Sequence, residues 1–302
     1  MSDIFEELNE ICETDTNMPL SSMTTLRIGG YAKYVVYPDS DIALDGVLRL
    51  IKENHLSFKM IGKGSDLLCS DADYDGVIIR LDRHFNKAFF NGESVTIQAG
   101  CSSIALAYQA MKNGLSGLEW LSGIPATMGG CIFMNAGAYK SCMADVLEEV
   151  FVYRNGKLEW ISKEECDFQY RHSIFQEHPE WIIVACRIRL KHGDRKEIEA
   201  LMNNRKERRI SSQPLEFPSC GSVFRNPEGM NSWQLIEGIG YRGKCIGDAC
   251  VSEKHCNFIV NKGHASAQDY LRLVKEIQQK VKEKYGIDLK TEMEMFNFGE
   301  KE

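Results

Sequence analysis

"SGIPATMGGCIFMNAGAY", residues 122–139, decides how this chain is read. It lies within a longer stretch, Trp120 to Tyr139, that carries no charged side chain, although 26% of the 302 residues are charged. Three surroundings suit such a stretch: a bilayer, the protein core, or a large bound molecule. A membrane helix fails on composition. Pro125, Gly123, Gly129, Gly130 and Gly137 interrupt it, and Ser122, Thr127 and Asn135 add polar groups. A buried loop needs a partner for every main-chain N–H and C=O. A ligand supplies such partners, because Gly and Ala let the main chain approach closely and successive N–H groups cradle phosphate oxygens. The absence of charge suits a large, mostly apolar ring system.

A second glycine-rich turn, "IGKGSDLL" (61–68), follows the strand-like "SFKMIG" (57–62). It lacks the Gly-Lys-Ser/Thr ending of a Walker loop. Gly62 and Gly64 have dinucleotide-fingerprint spacing, but Leu67 holds the third position. The two segments together point to a nucleotide cofactor held by something other than a Rossmann fold.

Bulk properties narrow the function. A net charge of −7 argues against a general nucleic-acid surface but leaves room for a locally bound anion. Neither terminus resembles a signal peptide, and no run of about 20 apolar residues exists to span a bilayer. The 11 cysteines without a secretory signal predict free thiols in a reducing cytoplasm. Cys245, Cys250, His255 and Cys256 form one metal-like cluster, but their four, four and zero intervening residues do not match zinc-site spacing. They read as small buried residues, and no metal is expected.

Short strands alternate with helices. The sequence predicts strands at 32–38, 57–62, 75–81 and 94–100, and helices at 41–54 (from Ile42, Val47, Leu48 and Ile51) and 102–114. From 146 to 190 strands dominate, with a hairpin at Asn155-Gly156 and a strand at 181–191. A charged helix follows at 194–214. The last third reads as a strand (256–263), a helix (266–286) with Tyr270, Val274, Ile277, Val281 and Tyr285 on one face, and a strand (287–296). Ser266 with Asp269 reads as a capping box and Gly286 as a C-cap.

The segments "TTLRIGGYA" (24–32), "GKGSDLLCSD" (62–71), "EWLSGIPATMGGCIFMNAGAY" (119–139), "YRHSIF" (170–175), "PSCGSVFRNPEG" (218–229) and "SEKHCNFIVNKG" (252–263) occur in this order. In that combination the chain resembles the UDP-N-acetylenolpyruvoylglucosamine reductases over nearly its whole length. The resemblance implies an α+β architecture: an FAD-binding fold of the vanillyl-alcohol-oxidase type in two subdomains (1–82 and 83–200), then a substrate-binding domain (201–302) whose last strand returns toward the flavin site. It implies non-covalent FAD, NADPH as reductant, UDP-N-acetylglucosamine enolpyruvate as substrate and UDP-N-acetylmuramate as product. Fewer than fifty residues separate "YRHS" from "PSCGSVF", as in compact members without an inserted tyrosine loop. Cys131, Cys256, Asp66 and Lys290-Thr291 depart from the family pattern without removing a chemical group assigned below.

The resemblance also assigns roles. Arg171 is the expected catalytic arginine, a lasting cation able to grip a carboxylate bidentately. Ser222 is the expected proton donor, with Cys220 ranked behind it. Glu292 is the expected third catalytic group, protonated or acting through a bridging water beside a developing anion. FAD is expected along Gly62, Lys63, Gly64, Ser65, Asp66 and Leu67, and along Ser122, Gly123, Ile124, Pro125, Gly129, Gly130, Asn135, Gly137 and Ala138. Tyr170, Arg225, Asn226 and His255 are expected at the substrate. The basic run "RKERR" (205–209) reads as a solvated helix face. With no dimer motif, a cytoplasmic monomer is expected, with no nucleic-acid or membrane partner. Two other readings stay open: a flavin oxidase of the same fold acting on an alcohol or sugar, and a non-catalytic UDP-sugar sensor.

Overall fold

The computed structural model describes residues 4–299. They fall into two compact units. Unit 1 comprises residues up to 16, 34–63 and 76–208; unit 2 comprises 17–33, 64–75 and 209 onward.

Unit 1 is built on a five-stranded antiparallel sheet, ordered Lys157–Ser162, Leu147–Arg154, Ile182–Arg189, Ser94–Gln98, Ala88–Asn91. Alternation aligns the buried faces: Val150 stands opposite Ile161 on one side and Cys186 on the other, and Cys186 opposite Ile97. The expected hairpin forms at Asn155 (φ 53°) and Gly156 (φ 76°), both left-handed as a tight I′-type connection requires. The helix Ser103–Lys112 starts where expected, with the Ser102 side chain accepting from the Ala105 N–H.

A four-stranded sheet, ordered Glu13–Pro19, Tyr31–Tyr37, Tyr74–Ile79, Phe58–Met60, carries the helix Asp41–Glu53 in its connections. That helix buries Ala43, Leu44, Val47, Leu50 and Ile51. Ile42, counted on the apolar face from sequence, is 85% exposed. The correct stripe starts one residue later, because the Ser40 cap sets the helix phase.

Unit 2 has its own core, including Leu26, Leu68, Val223, Phe224, Ile259, Tyr270, Val274, Ile277, Val281 and Met293. The helix Ala267–Tyr285 is capped by Ser266 and stopped by Gly286 at φ 70°. Asp71 also accepts from the Ala267 and Gln268 N–H groups, satisfying first-turn donors that the local sequence leaves open. Tyr285 turns out 39% exposed, ending the apolar stripe at Val281. The two expected strands of this unit are shorter, at Ile259–Asn261 and Glu294–Phe296. In the second, Met295 is exposed and Phe296 buried, so alternation breaks after Met293.

The expectation that all cysteines are free is overturned at one place. Cys245 and Cys250 face each other across the antiparallel pair Cys245–Ile246 and Ala249–Val251 and form a disulfide. The short hairpin brings their Cα atoms to 4.1 Å. Bonded to one another, they are not available as thiolate ligands. Among the described residues no helix is long and apolar enough to cross a membrane.

Candidate active site

In unit 2, the segment after Gly221 (φ 81°) carries Ser222 between buried Cys220 and Val223. It is held on two sides. Toward the C-terminus, Phe224 and Thr291 form an antiparallel bridge, the Arg225 N–H donates to the Lys290 carbonyl (2.9 Å), and the Glu292 N–H donates to the Val223 carbonyl (2.8 Å). On the other side, Asn257 works on both main-chain groups of Phe224. Its Oδ1 accepts from the Phe224 N–H (3.0 Å) and its Nδ2 donates to the Phe224 carbonyl (2.8 Å). Its own carbonyl accepts from the Val223 N–H (2.8 Å). Sequence reasoning passed over Asn257, because its chemistry appears only once residues 33 positions apart meet.

Glu292 is half-buried, not on an open solvent face. Two residues on, the Glu294 N–H donates to the Asp66 carbonyl (2.9 Å), and Glu294–Phe296 pairs in parallel with Leu67–Cys69. Thr25 completes the arrangement. Its N–H donates to the Gly64 carbonyl (3.1 Å) and its hydroxyl to the Ser219 carbonyl (2.7 Å). Unit 2 therefore brings together Ser222, Glu292, Asp66 and Leu67, four residues singled out from sequence.

Cys220 is excluded as a proton donor. Its thiol lies in the core, 3.2 Å from the Tyr270 hydroxyl and 3.9 Å from the Met293 sulfur, and burial pushes it up to about 12. His255 is half-buried, and burial lowers its pKa below the ordinary 6.5. Its Nδ1 accepts from the Asn257 N–H (3.2 Å) and its ring meets Phe258 edge-on. Its visible role is to hold Asn257. Asn226 accepts from the Ser232 N–H (3.0 Å), and Ser232 Oγ donates to the Arg225 carbonyl (2.6 Å), so helix Ser232–Gly238 anchors this pair. Arg225 Nε is buried and has no protein partner among the described residues.

In unit 1, Arg171 adopts φ 56°, a conformation that costs a non-glycine residue about 1–3 kcal/mol and concentrates at functional sites. Its Nη2 donates to the Gly137 carbonyl (2.8 Å), and its own carbonyl accepts from Gln176 Nε2 (3.1 Å). Gln176 and Ser173 both donate to the Phe133 carbonyl, pinning this segment to the end of the short helix Met128–Phe133. Tyr170, 54% exposed, lies beside the guanidinium with its ring centroid at 5.1 Å.

The uncharged stretch is two-sided. Trp120, Leu121, Met128, Cys131 and Ile132 enter the core, while Ser122, Gly123, Ile124, Gly129, Gly130, Gly137 and Ala138 stay half-buried and Pro125 is exposed. Its main-chain donors are satisfied by the protein itself. Met128 donates to the Cys101 carbonyl, Gly129 to that of Ala99, and Gly130 to Thr127 Oγ1. Two of its glycines face the chain itself: a Cβ at Gly129 would stand 3.1 Å from Ala99 Cβ, and one at Gly137 2.6 Å from the Ser141 carbonyl oxygen, whereas one at Gly130 would meet only Thr127 Oγ1 at 3.4 Å. Both ends of the Asn135 amide are also taken, by the Gln169 carbonyl and the Ala144 N–H.

The first turn behaves differently. A Cβ at Gly62 would lie 2.3 Å from Thr127 Oγ1, and one at Gly64 (φ 57°) 2.3 Å from the Met23 carbonyl oxygen, so this backbone is fixed by close approach. Yet the N–H groups of Gly62, Lys63, Gly64 and Ser65 have no acceptor among the described residues. The Lys63 ammonium is occupied by Asp82 (3.0 Å), which Arg80 also grips while donating to the Gly62 carbonyl. A run of unpaired N–H groups on a rigid backbone fits the oxygens of a diphosphate.

Residues 213–296 match the UDP-N-acetylenolpyruvoylglucosamine reductase, C-terminal domain, family, and residues 32–162 match the FAD binding domain family. The UDP-N-acetylenolpyruvoylglucosamine reductase of Carboxydothermus hydrogenoformans is 43% identical over 92% of both chains, and that of Bacillus subtilis 38% over 98% of both. The crystal structure of the Thermus caldophilus enzyme superposes with a TM-score of 0.81 at 34% identity, covering 95% of this chain and 99% of that one. The fold joins an FAD-binding domain to the C-terminal α+β domain of this reductase family. With two domains matched in order and full-length relatives at this identity, the chain belongs to the UDP-N-acetylenolpyruvoylglucosamine reductase family.

Proposed function

We propose that this chain is an FAD-dependent enzyme that uses NADPH to reduce the enolpyruvyl group of UDP-N-acetylglucosamine enolpyruvate, giving UDP-N-acetylmuramate for peptidoglycan precursor synthesis. The observation that carries the reading is the hydrogen-bonded arrangement in unit 2 that joins the segments of Ser222, Glu292 and Asp66. Neither an alcohol oxidase nor a UDP-sugar sensor calls for a hydroxyl and a carboxyl held in this way.

FAD would lie along Gly62 to Leu67, where the open N–H groups of Gly62 to Ser65 suit its diphosphate, and along the half-buried uncharged residues from Ser122 to Ala138. When bound, FAD would supply hydride transfer between NADPH and the terminal carbon of the enolpyruvyl group. The remaining steps fall to the protein. Negative charge grows at the carbon that bears the carboxylate, and Arg171 stabilises it by holding that carboxylate. The Ser222 hydroxyl gives its proton to the same carbon. A serine is a weak acid, but its acceptor is strongly basic, so position matters more than acidity. Glu292 acts through hydrogen bonds, since a bare charge there would oppose the developing anion. Arg225, with its buried unpartnered Nε, is the contact for the substrate diphosphate, supported by Asn226 and Tyr170.

Three regions divide this work: 1–82 and 83–200 for FAD and 201–302 for substrate. The pairing of Glu294–Phe296 with Leu67–Cys69 supports a last strand that returns to the cofactor turn. The same reading makes it a cytoplasmic monomer without a membrane partner, and the net charge of −7 supports the absence of a general nucleic-acid surface. The test is spectroscopic. Purified protein should be yellow, NADPH should bleach it without oxygen, and the enolpyruvyl substrate should restore the colour. Bleaching without anaerobic recovery would turn the assignment toward an oxidase, and absence of flavin toward the sensor.

A further inference from the structure

The basic run at 205–209 is more than a solvated face at its first residue. Arg205 lies on the helix Arg195–Ser212 and is half-buried. Its Nη1 is buried and has no hydrogen-bond partner among the described residues. Tyr139 lies against this residue. Its guanidinium carbon lies 4.8 Å from the Tyr139 ring centroid, and the Tyr139 hydroxyl donates to the Arg205 carbonyl (3.2 Å). The ring offers a π face to the cation but no oxygen to an in-plane N–H.

The residue that holds Arg205 is itself in an unfavoured conformation. Gly137–Ala138 pairs with Ser141–Cys142, leaving Tyr139 and Lys140 as a two-residue turn. Both take positive φ, 55° and 65°, where such turns normally use Asn or Gly. The same hairpin receives Arg171 on the Gly137 carbonyl. One strained hairpin thus carries two guanidinium groups, one of them with a desolvated donor left unmatched. A buried, unpaired N–H on a cation is costly, and such sites persist where a ligand completes them.

We propose that Arg205 is a further ligand-binding residue, its Nη1 donating to a phosphate oxygen of a bound nucleotide, with Tyr139 as its positioning residue. Phosphate is the chemistry because the carboxylate of the substrate is assigned to Arg171, and the remaining anions on FAD, NADPH and the UDP-sugar are all phosphates. The inference rests on the function proposed above.

The test uses Arg205→Met, Arg205→Lys and Tyr139→Leu. Dissociation constants are measured for FAD on apoprotein by flavin fluorescence, and for NADP⁺, NAD⁺ and UDP-N-acetylglucosamine on FAD-loaded protein by calorimetry. Arg205→Met should weaken one of these ligands about tenfold or more, and Arg205→Lys and Tyr139→Leu should weaken the same ligand less. Loss for NADP⁺ but not NAD⁺ assigns the 2′-phosphate; loss for the UDP-sugar, or for FAD, assigns that diphosphate. The melting temperature of ligand-free Arg205→Met should hold or rise, because an unmatched buried N–H is removed, whereas a purely structural clamp would lower it. Unchanged affinity for all four ligands overturns the inference. Should Arg205→Met fail to fold, wild-type affinities throughout in Arg205→Lys overturn it equally. Wild-type protein that binds no flavin or does not turn over the enolpyruvyl substrate defeats the functional reading instead, so the two failures are separable.

Discussion

The Glu292 N–H donates to the Val223 carbonyl at 2.8 Å, so the terminal segment is locked in register beside the residue that follows Ser222. The bridge between Phe224 and Thr291 and the bond from Arg225 to Lys290 repeat the lock on either side. Main-chain bonds between residues 223–225 and 290–292 thus bring the segments of Ser222 and Glu292 together. Their side chains can therefore be exchanged one at a time with little cost to the backbone that places them.

Glu292→Gln and Glu292→Ala separate a hydrogen-bonding role from a charge role. Gln keeps a carbonyl and an N–H donor at nearly the same volume; Ala keeps neither. Turnover should fall far less in Glu292→Gln than in Glu292→Ala, with flavin reduction by NADPH retained in both. Equal losses, measured by anaerobic stopped-flow, would contradict the role given to this carboxyl.

Ser222→Ala should leave flavin binding and bleaching by NADPH intact and slow the reoxidation of reduced flavin by the enolpyruvyl substrate. General acid catalysis contributes about 10²–10⁴-fold, and the loss should fall in that range. Ser222→Cys should recover part of it, because a thiol can also donate a proton. Cys220 will not substitute, since its thiol is turned into the core against Tyr270 and Met293.

Asn257 is 4% exposed and its amide serves both main-chain groups of Phe224. Replacing it with Leu leaves a buried N–H and a buried carbonyl unpaired, at about 1–3 kcal/mol each. Asn257→Leu should lower the melting temperature and, through the displaced Ser222, the rate of flavin reoxidation. Asn257→Asp retains the acceptor and loses the donor, so it should fall between. A variant equal to wild type in both measurements would show that the bridge to Thr291 alone holds this segment.

Much of the fold is written in local pattern. The caps at Ser40, Ser102 and Ser266, the Asn155-Gly156 hairpin and the Gly286 stop each depend on two to four consecutive residues, and each forms. What stayed hidden depends on partners far away in sequence. Asp71 caps a helix 196 positions later, Asn257 grips Phe224, and the segments 17–33 and 64–75 join the C-terminal unit. The candidate residues are legible as motifs, but part of the physical reason for them is not. Gly129 and Gly137 are also required by packing of the chain against itself, which spacing did not reveal. The unpaired donors at 62–65 and the buried nitrogens of Arg205 and Arg225 are properties of the folded backbone, which no spacing rule expresses.

The disulfide makes a countable prediction. Of the 11 cysteines, nine are free. Denatured, unreduced protein should therefore titrate nine thiols, and eleven after reduction. Because the closed loop is short, with a sequence separation of 5, chain-entropy arguments give the bond only about 2 kcal/mol. Cys250→Ser should be less stable by no more than that, and eleven thiols in the unreduced protein would refute the bond.

His255 predicts a pH dependence of stability. Burial is the main cause that lowers its folded pKa below 6.5, with the Arg242 charge adding to it, while its Nδ1 already accepts a hydrogen bond from the Asn257 N–H. In the unfolded chain the imidazole regains its ordinary value. Between that value and the lower folded one, the unfolded state binds more protons, so acidification favours unfolding. Stability should be flat with respect to this group above about pH 7 and should decline as pH falls below 6.5. His255→Gln removes the titration while keeping a side-chain acceptor for the Asn257 N–H. Melting temperatures followed from pH 7.5 to 5 should therefore fall less steeply in His255→Gln than in wild type. Parallel curves would mean that the imidazole takes up its proton as readily in the folded protein as in the unfolded chain.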